Sequence, residues 1–139
     1  MQYKRKMGID YGDVRVGIAF SDLLGTIASP HSVYKRKSLN ADLEYLSKLI
    51  AEQEVDIVVF GLPLNMDGTE GLRAEKTRDF AGLLEAKAKI EIVFVDERLT
   101  SFEAEELLKE AYVKREKRKE LIDMLSAQII LKSYLDGKK

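Results

Sequence analysis

The stretch KMGIDYGDVRVGIAFSD, residues 6–22, decides the fold of this chain. Residues 4–11 form an apolar segment that carries Asp10 near its end, and Gly12-Asp13 is a turn signal. Residues 14–20 then alternate between inward and outward side chains, as a strand does. The pattern predicts an antiparallel hairpin with Asp10 at its tip. A single carboxylate holds a metal ion poorly, so Asp10 needs partners from elsewhere in the chain.

The rest of the chain predicts one more antiparallel strand, followed by alternating helices and strands. The third strand covers residues 26–34, with Pro30 marking an edge or a bulge. Ser38 is an N-cap for the first helix. The continuous apolar runs at 56–61 and 90–95 are typical of buried parallel strands. The remaining elements are a glycine-rich loop over 61–71 and helices over 72–88, after Thr100 or Ser101, and over 118–135.

These elements predict one α/β domain over residues 1–139. Its architecture is one mixed five-stranded sheet, in which three antiparallel strands precede parallel crossovers, with helices on both faces.

Composition narrows the classes of protein and of site. The chain has 139 residues, no cysteine and one histidine, which excludes disulfides and thiolate metal sites and disfavours histidine-based zinc sites. No apolar run approaches the roughly 18 residues that a membrane span needs, so we predict a cytoplasmic protein without a membrane partner. The net charge is −1, but basic residues cluster at 4–6, 35–37 and 114–119. Each cluster is either a solvated helical face or a contact for a phosphate backbone.

Two acids are candidate partners for Asp10 at the end of the last buried strand. If the first strand lies beside the fourth, and the fourth beside the fifth, their carboxyl ends share one edge of the sheet. Asp96 and Glu97 would then lie near Asp10. Neighbouring residues of a strand point to opposite faces, so only one of the two can join Asp10, and the pattern leaves open which one.

Asp123 is the third candidate acid. Its helix is apolar around nearly its whole circumference, and a carboxylate there is costly unless it is paired or bound to a metal. The alternative is an acid favoured by the dipole of a helix start; for Asp10 the alternative is a turn acid that bonds its own loop. Carboxylates without cysteine favour Mg²⁺ or Mn²⁺. Such ions activate water and stabilise the leaving oxygen of a phosphodiester.

Four segments together resemble the YqgF family, the bacterial Holliday junction resolvase-like proteins similar to RuvC and built on the ribonuclease H-like fold. The resemblance covers nearly the whole chain. It lies in Met7-Gly8-Ile9-Asp10-Tyr11-Gly12 with Arg15-Val16-Gly17, in Val59-Phe60-Gly61-Leu62-Pro63 with Asp67-Gly68, in Val95-Asp96-Glu97-Arg98-Leu99-Thr100-Ser101, and in Ile122-Asp123 with Ala127.

The resemblance implies a Mg²⁺- or Mn²⁺-dependent nuclease whose catalytic, metal-binding acids are Asp10, Glu97 and Asp123. It therefore favours Glu97 over Asp96. Relatives in the wider fold carry their second acid at the end of the fourth strand, where this chain has Gly61-Leu62-Pro63. Glu97, on the neighbouring strand, would have to take that role.

The family is linked to branched DNA and to the precursor of the small-subunit ribosomal RNA, and we favour the RNA. A junction resolvase would be a homodimer, because it must cut two strands symmetrically, whereas an RNA-processing enzyme can be a monomer.

Basic and polar residues near these acids are the candidates for substrate binding. Arg15 either contacts a phosphate or pairs with Asp13 or Asp22, and Arg98 either orients Glu97 or holds substrate. The full predicted set is Arg15, Asn65, Arg73, Arg98, Lys114, Arg115, Lys117, Arg118 and Lys119.

Two other classes of function remain open. A phosphotransferase of the actin, Hsp70 and sugar-kinase group also has a Gly-Ile-Asp-x-Gly strand, but it needs two such domains and this chain has no Gly-x-x-x-x-Gly-Lys-Ser/Thr loop. A non-catalytic RNA-binding or ribosome-assembly factor would bind RNA without a metal and would be indifferent to Asp10→Asn.

Overall fold

The computed structural model describes residues 3–97 and 115–137. Its strands lie in the order β3-β2-β1-β4-β5. β1 pairs antiparallel with β2, and β2 with β3, whereas β1–β4 and β4–β5 are parallel. The predicted mixed five-stranded sheet is therefore confirmed. The elements are β1 (Arg5–Tyr11), β2 (Arg15–Ser21), β3 (Ala28–Lys35), α1 (Leu39–Glu52), β4 (Val55–Leu62), α2 (Leu72–Ala88), β5 (Glu91–Asp96) and α3 (Arg115–Gly137).

Local signals in the sequence account for most of these boundaries. The hydroxyl of Ser38 accepts a hydrogen bond from the Ala41 backbone N–H at 3.2 Å, which caps α1 as predicted. β3 is an edge strand, and its register with β2 shifts opposite Pro30. α3 begins at residue 115 rather than 118. The helix predicted after Thr100 or Ser101 lies outside the described residues. Within the described ranges, no helix is both long enough and apolar enough to cross a membrane.

The sheet separates two hydrophobic cores. Met7 and Ile9 of β1 point to one face, where α1 and α2 cover them. Val59 of β4 and Ala19 of β2 point to the other face, where they pack against α3. The helices on both faces are thus confirmed. Asp10 has the same parity in β1 as Gly8, so its side chain lies on the α3 face.

Two glycines let α3 lie directly on the sheet. A β-carbon added at Gly8 would come within 2.6 Å of the carbonyl oxygen of Ala127, and one added at Gly17 would collide with the carbonyl oxygen of Asp123. Any larger residue at either position would lift the helix. The glycines therefore set the height of Asp123 above the sheet.

Arg36, which directly follows β3, holds the turn that comes after Asp10. Arg36 donates one hydrogen bond to the carbonyl of Gly12 at 3.2 Å and another to Asp42 at 2.9 Å. Its guanidinium also lies 4.7 Å from the ring centre of Tyr11. Burial raises the pKa of Asp42, but hydrogen bonds from the Lys37 backbone N–H and from neighbouring side chains outweigh it and leave the pKa below its ordinary value. A buried, ionised carboxylate thus anchors the arginine that positions the turn.

Candidate active site

A cleft of about 510 Å³ opens where β1, β4 and β5 end at their carboxyl edge. It contains the three predicted acids together with two of the predicted substrate-binding residues, Arg15 and Arg73. The lining residues are Asp10, Tyr11, Gly12, Asp13, Val14, Arg15, Pro63, Leu64, Met66, Arg73, Glu97 and Asp123.

Asp10 lies between two glycines of the neighbouring strands. It pairs with Gly17 of β2, and because Ile9 pairs with Phe60, the next position of β4 beside it is Gly61. A β-carbon at Gly61 would lie 2.8 Å from Oε2 of Glu97. The carboxylate of Glu97 therefore occupies the space that a side chain at the end of β4 would fill.

Glu97, and not Asp96, joins Asp10. Val93 and Val95 of β5 pack on the α3 face, so Glu97, two residues further along, points to that face as well. The carboxyl groups of Asp10 and Glu97 are hydrogen-bonded to each other. Asp96 is exposed. The alternation left open by the sequence is thus resolved in favour of Glu97.

Asp123 reaches the cleft from α3 but is engaged by an arginine. Nε of Arg15 lies 2.5 Å from Oδ2 of Asp123, and the two side chains are 31% and 19% exposed. The expected alternatives for Arg15, pairs with Asp13 or Asp22, are not the ones formed. Asp22 instead accepts hydrogen bonds from Thr26 and from the backbone of residue 27, and Asp13 lies 3.4 Å from Arg73.

Burial and mutual repulsion raise the pKa values of Asp10 and Glu97, so the pair keeps a proton at neutral pH. Desolvation, together with the negative charge of Asp123, raises the pKa of Asp10 to about 6. Desolvation and the negative charge of Asp10 raise the pKa of Glu97 to about 9, and the positive charge of Arg73 offsets only part of this rise. At neutral pH and without a cation, Glu97 therefore carries the proton and donates it in a hydrogen bond to Asp10.

The donor set suits a hard divalent cation. Carboxylate oxygens are the ligands that Mg²⁺ and Mn²⁺ prefer, and a cation would relieve the repulsion between Asp10 and Glu97. Among the described residues, no three acidic or histidine side chains lie close enough together to hold one ion. Asp10 and Glu97 therefore fit as ligands directly, whereas the carboxylate of Asp123 is paired with Arg15.

The other predicted substrate contacts are distributed differently. Nδ2 of Asn65 donates to the hydroxyl of Thr69 at 2.9 Å, so Asn65 shapes its own loop and does not line the cleft. Lys117 and Lys119 are exposed at the start of α3 and also do not line it, nor does Arg118. Arg98 and Lys114 lie outside the described residues. Arg115 opens α3, but its side chain is not described.

Two glycines that leave room for the acids were not identified as site residues from the sequence. Gly17 and Gly61 flank Asp10 in the interiors of buried strands, where glycine signals a close approach of other atoms. That signal was present in the sequence. Val14 and Met66, which are 56% and 69% exposed, form apolar borders of the cleft that no sequence pattern identified.

Without a divalent cation, we expect the protein to lose stability as the pH rises from about 4 to about 9. The folded-state pKa values of Asp10 and Glu97, about 6 and about 9, lie above the values of 3.8 and 4.5 for free groups. The folded state thus binds more protons than the unfolded state in this range, so raising the pH favours unfolding. Urea unfolding at pH 5, 7 and 9 in EDTA measures the loss. A stability that rises over this range would contradict it.

Comparisons with known proteins agree with this geometry. The family model RuvX, described as Holliday junction resolvase, matches residues 4–137. A protein of Syntrophomonas wolfei named "Putative pre-16S rRNA nuclease" is 51% identical over 133 residues, which cover 96% of this chain and 94% of the relative. A protein of Halothermothrix orenii with the same name is 48% identical and covers 95% of this chain and 94% of the relative.

Solved structures show the same fold. The RuvC of Thermus thermophilus in complex with a Holliday junction substrate has a TM-score of 0.60 at 12% identity, covering 98% of this chain and 96% of that one. The Fowlpox virus resolvase in complex with Holliday junction DNA has a TM-score of 0.61 at 11% identity, covering 96% and 98%. The predicted ribonuclease H-like fold is therefore confirmed. The match over nearly its full length places this chain in the RuvX family, the YqgF family whose motifs it carries.

Proposed function

We propose that this chain is a Mg²⁺- or Mn²⁺-dependent nuclease that hydrolyses phosphodiester bonds in the precursor of 16S ribosomal RNA. The observation that carries the proposal is the convergence of Asp10, Glu97 and Asp123 in one cleft with Arg15 and Arg73. The names of the relatives, which are about half identical to this chain, favour the RNA substrate over branched DNA. We place its action in the cytoplasm, with residues 1–139 as one nuclease domain.

The acids have the roles that phosphodiester hydrolysis requires. Asp10 and Glu97 would hold the cation, and Glu97 would do so in its deprotonated form, because a metal ligand must be deprotonated. The bound ion supplies an activated water and stabilises the leaving oxygen. Asp123 faces the same cleft from α3 and is the third acid of the set.

Arg73 is placed to bind the nucleic-acid backbone. Arg73 is 59% exposed at the border of the cleft, and its nearest acid, Asp13, is equally exposed. A loose, solvated ion pair of this kind contributes little and yields readily to a phosphate group. Arg73 is therefore the residue that we expect to bind a phosphate group of the substrate as it enters the cleft.

Cleavage of two labelled substrates tests the proposal. One is a fragment of the 16S rRNA precursor that retains flanking sequence, and the other is a four-way DNA junction. We expect the RNA to be cut with Mg²⁺ or Mn²⁺ but not with EDTA, and the junction to remain intact. Asp10→Asn should abolish cutting. Asp79→Asn, a matched change at an exposed acid of α2, should leave it unchanged.

The other outcomes identify the competing functions. Metal-dependent cutting of the junction alone, by a homodimer, would make the protein a Holliday junction resolvase, the function named by the family model. RNA binding without cutting of either substrate, unaffected by Asp10→Asn, would make it a non-catalytic assembly factor.

A further inference from the structure

We infer that Arg15 is an exchangeable ligand of Asp123: a divalent cation displaces it, and the released guanidinium then binds the phosphate of the substrate. This inference rests on the proposed function, because it assumes that a cation enters the cleft. It adds an order of events to that function. The cation must bind before Arg15 becomes available to nucleic acid.

The first support is the ion pair itself. Asp123 is the one acid of the three that reaches the cleft from α3, and its Oδ2 is 2.5 Å from Nε of Arg15. Asp10 and Glu97 contact each other instead. The cleft without a cation thus neutralises its acids in two ways, with a shared proton on one pair and with a guanidinium on Asp123. The three acids do not lie close enough together in this arrangement to share one ion, so a cation that recruits Asp123 requires its carboxylate to leave Arg15.

The second support is the difference in mobility between the two partners. The backbone of Asp123 rests on Gly17, so the packing of α3 fixes the point from which the short aspartate side chain extends. Arg15 is about one-third exposed and has a long, flexible side chain. When the pair opens, the arginine side chain therefore moves away, while the backbone of Asp123 stays on the sheet.

The third support is where Arg15 can go. Its backbone lies at the first residue of β2, beside the turn that Arg36 holds at Gly12. This anchoring keeps the released side chain within reach of the cleft that it already lines. A guanidinium binds phosphate oxygens with two parallel hydrogen bonds, which is a geometry that lysine cannot provide.

Arg73 is the contrast within the same cleft. It carries the same charge, but its nearest acid is Asp13 rather than a member of the acid set, at 3.4 Å, and both side chains are about 60% exposed. Removing Arg73 changes the local charge without freeing an acid of the set. It therefore separates a general electrostatic effect from competition for Asp123.

Mn²⁺ titration by calorimetry on the full chain tests the exchange without any measurement of cleavage. We expect Arg15→Gln to tighten Mn²⁺ binding by about two- to fivefold, the range for loss of a competing, partly exposed ion pair. Arg73→Gln should tighten it by less than about twofold. In the Asp123→Asn background, Arg15→Gln should have no further effect, because the two changes then act on the same pair. Arg15→Lys, which keeps the charge, should give a smaller increase.

Two results would overturn the inference and leave the proposed function standing. An equal effect of Arg15→Gln and Arg73→Gln, or an effect of Arg15→Gln that persists undiminished with Asp123→Asn, would leave no role for competition. Wild-type protein that binds no Mn²⁺ would overturn both the exchange and the metal-dependent nuclease. Thermal unfolding of each variant confirms that it is folded, and Arg15→Lys repeats the comparison if Arg15→Gln unfolds.

Discussion

Glu97→Gln is expected to abolish cleavage and, at the same time, to stabilise the protein in the absence of a cation. Activity should fall by about 100-fold or more. Removing a residue that only hydrogen-bonds to a metal ligand already lowers metal affinity or activity by about 10- to 100-fold. Stability should rise at pH 7 because Glu97, with a pKa of about 9, takes up a proton on folding, whereas a free glutamate is ionised at that pH. Glutamine mimics the protonated form, so it folds without this uptake.

We expect the gain in stability to be about 1–3 kcal/mol, from the value of about 1.4 kcal/mol per pKa unit. Urea unfolding in EDTA measures it, and the gain should shrink at pH 5, where wild-type Glu97 is protonated more readily in both states.

Asp96→Asn is the matched control, because Asp96 is adjacent in sequence but exposed and on the opposite face of β5. Its activity should stay within about twofold of wild type, and its stability within about 0.5 kcal/mol. A Glu97→Gln protein that is less stable than wild type, or an Asp96→Asn protein that is equally inactive, would contradict the assignment of Glu97 to the acid pair.

Gly17→Ala is expected to destabilise the protein by about 1–3 kcal/mol or more, the range for forcing an extra methyl group into a packed interior. The new β-carbon would collide with the carbonyl oxygen of Asp123, a backbone atom that cannot move aside without moving α3. The same displacement would lift Asp123 away from Asp10, so cleavage should be lost as well. Chemical unfolding and the cleavage assay measure the two effects.

Gly82→Ala provides the control for replacing a glycine by alanine. Gly82 lies in the interior of α2, and a β-carbon there would have no neighbouring atom within 4 Å. Alanine favours a helix over glycine, so this variant should be more stable by about 0.5–1 kcal/mol. If Gly17→Ala unfolds at the same denaturant concentration as wild type, α3 does not rest on β2 as described.

The sheet and the meeting of Asp10 with the end of β5 could be predicted because their signals are local. The hairpin has its turn residues, and the continuous apolar runs of β4 and β5 are typical of strands covered on both faces. A continuous apolar run, however, does not show which residues of β5 face α3 and which face the opposite side of the sheet. Since nearly every position from 90 to 95 is apolar, the residues alone could not tell whether Asp96 or Glu97 faces α3. The packing of Val93 and Val95 against α3 decides it.

The partner of Arg15 could not be predicted, for a different reason. Asp123 lies 108 residues away, and two acids much nearer in sequence offered simpler pairs. Asp22 is used by the turn that follows it, and Asp13 faces Arg73. A polar loop residue that binds substrate and one that closes its own turn look alike in sequence, and a contact between Asn65 and substrate stays a prediction. The structure shows that Asn65 closes its own loop through a hydrogen bond to Thr69.

The placement of Asp123 on α3 also bears on protein synthesis. α3 follows every other described element of the chain, while Asp10 lies in the first strand. Because a chain emerges from the ribosome with its amino end first, Asp10 and Glu97 emerge before α3 does. The third acid arrives only when α3 docks on Gly8 and Gly17. Completion of the acid set therefore waits for the last described element to fold, and cotranslational folding of the first five strands alone leaves the cleft without Asp123.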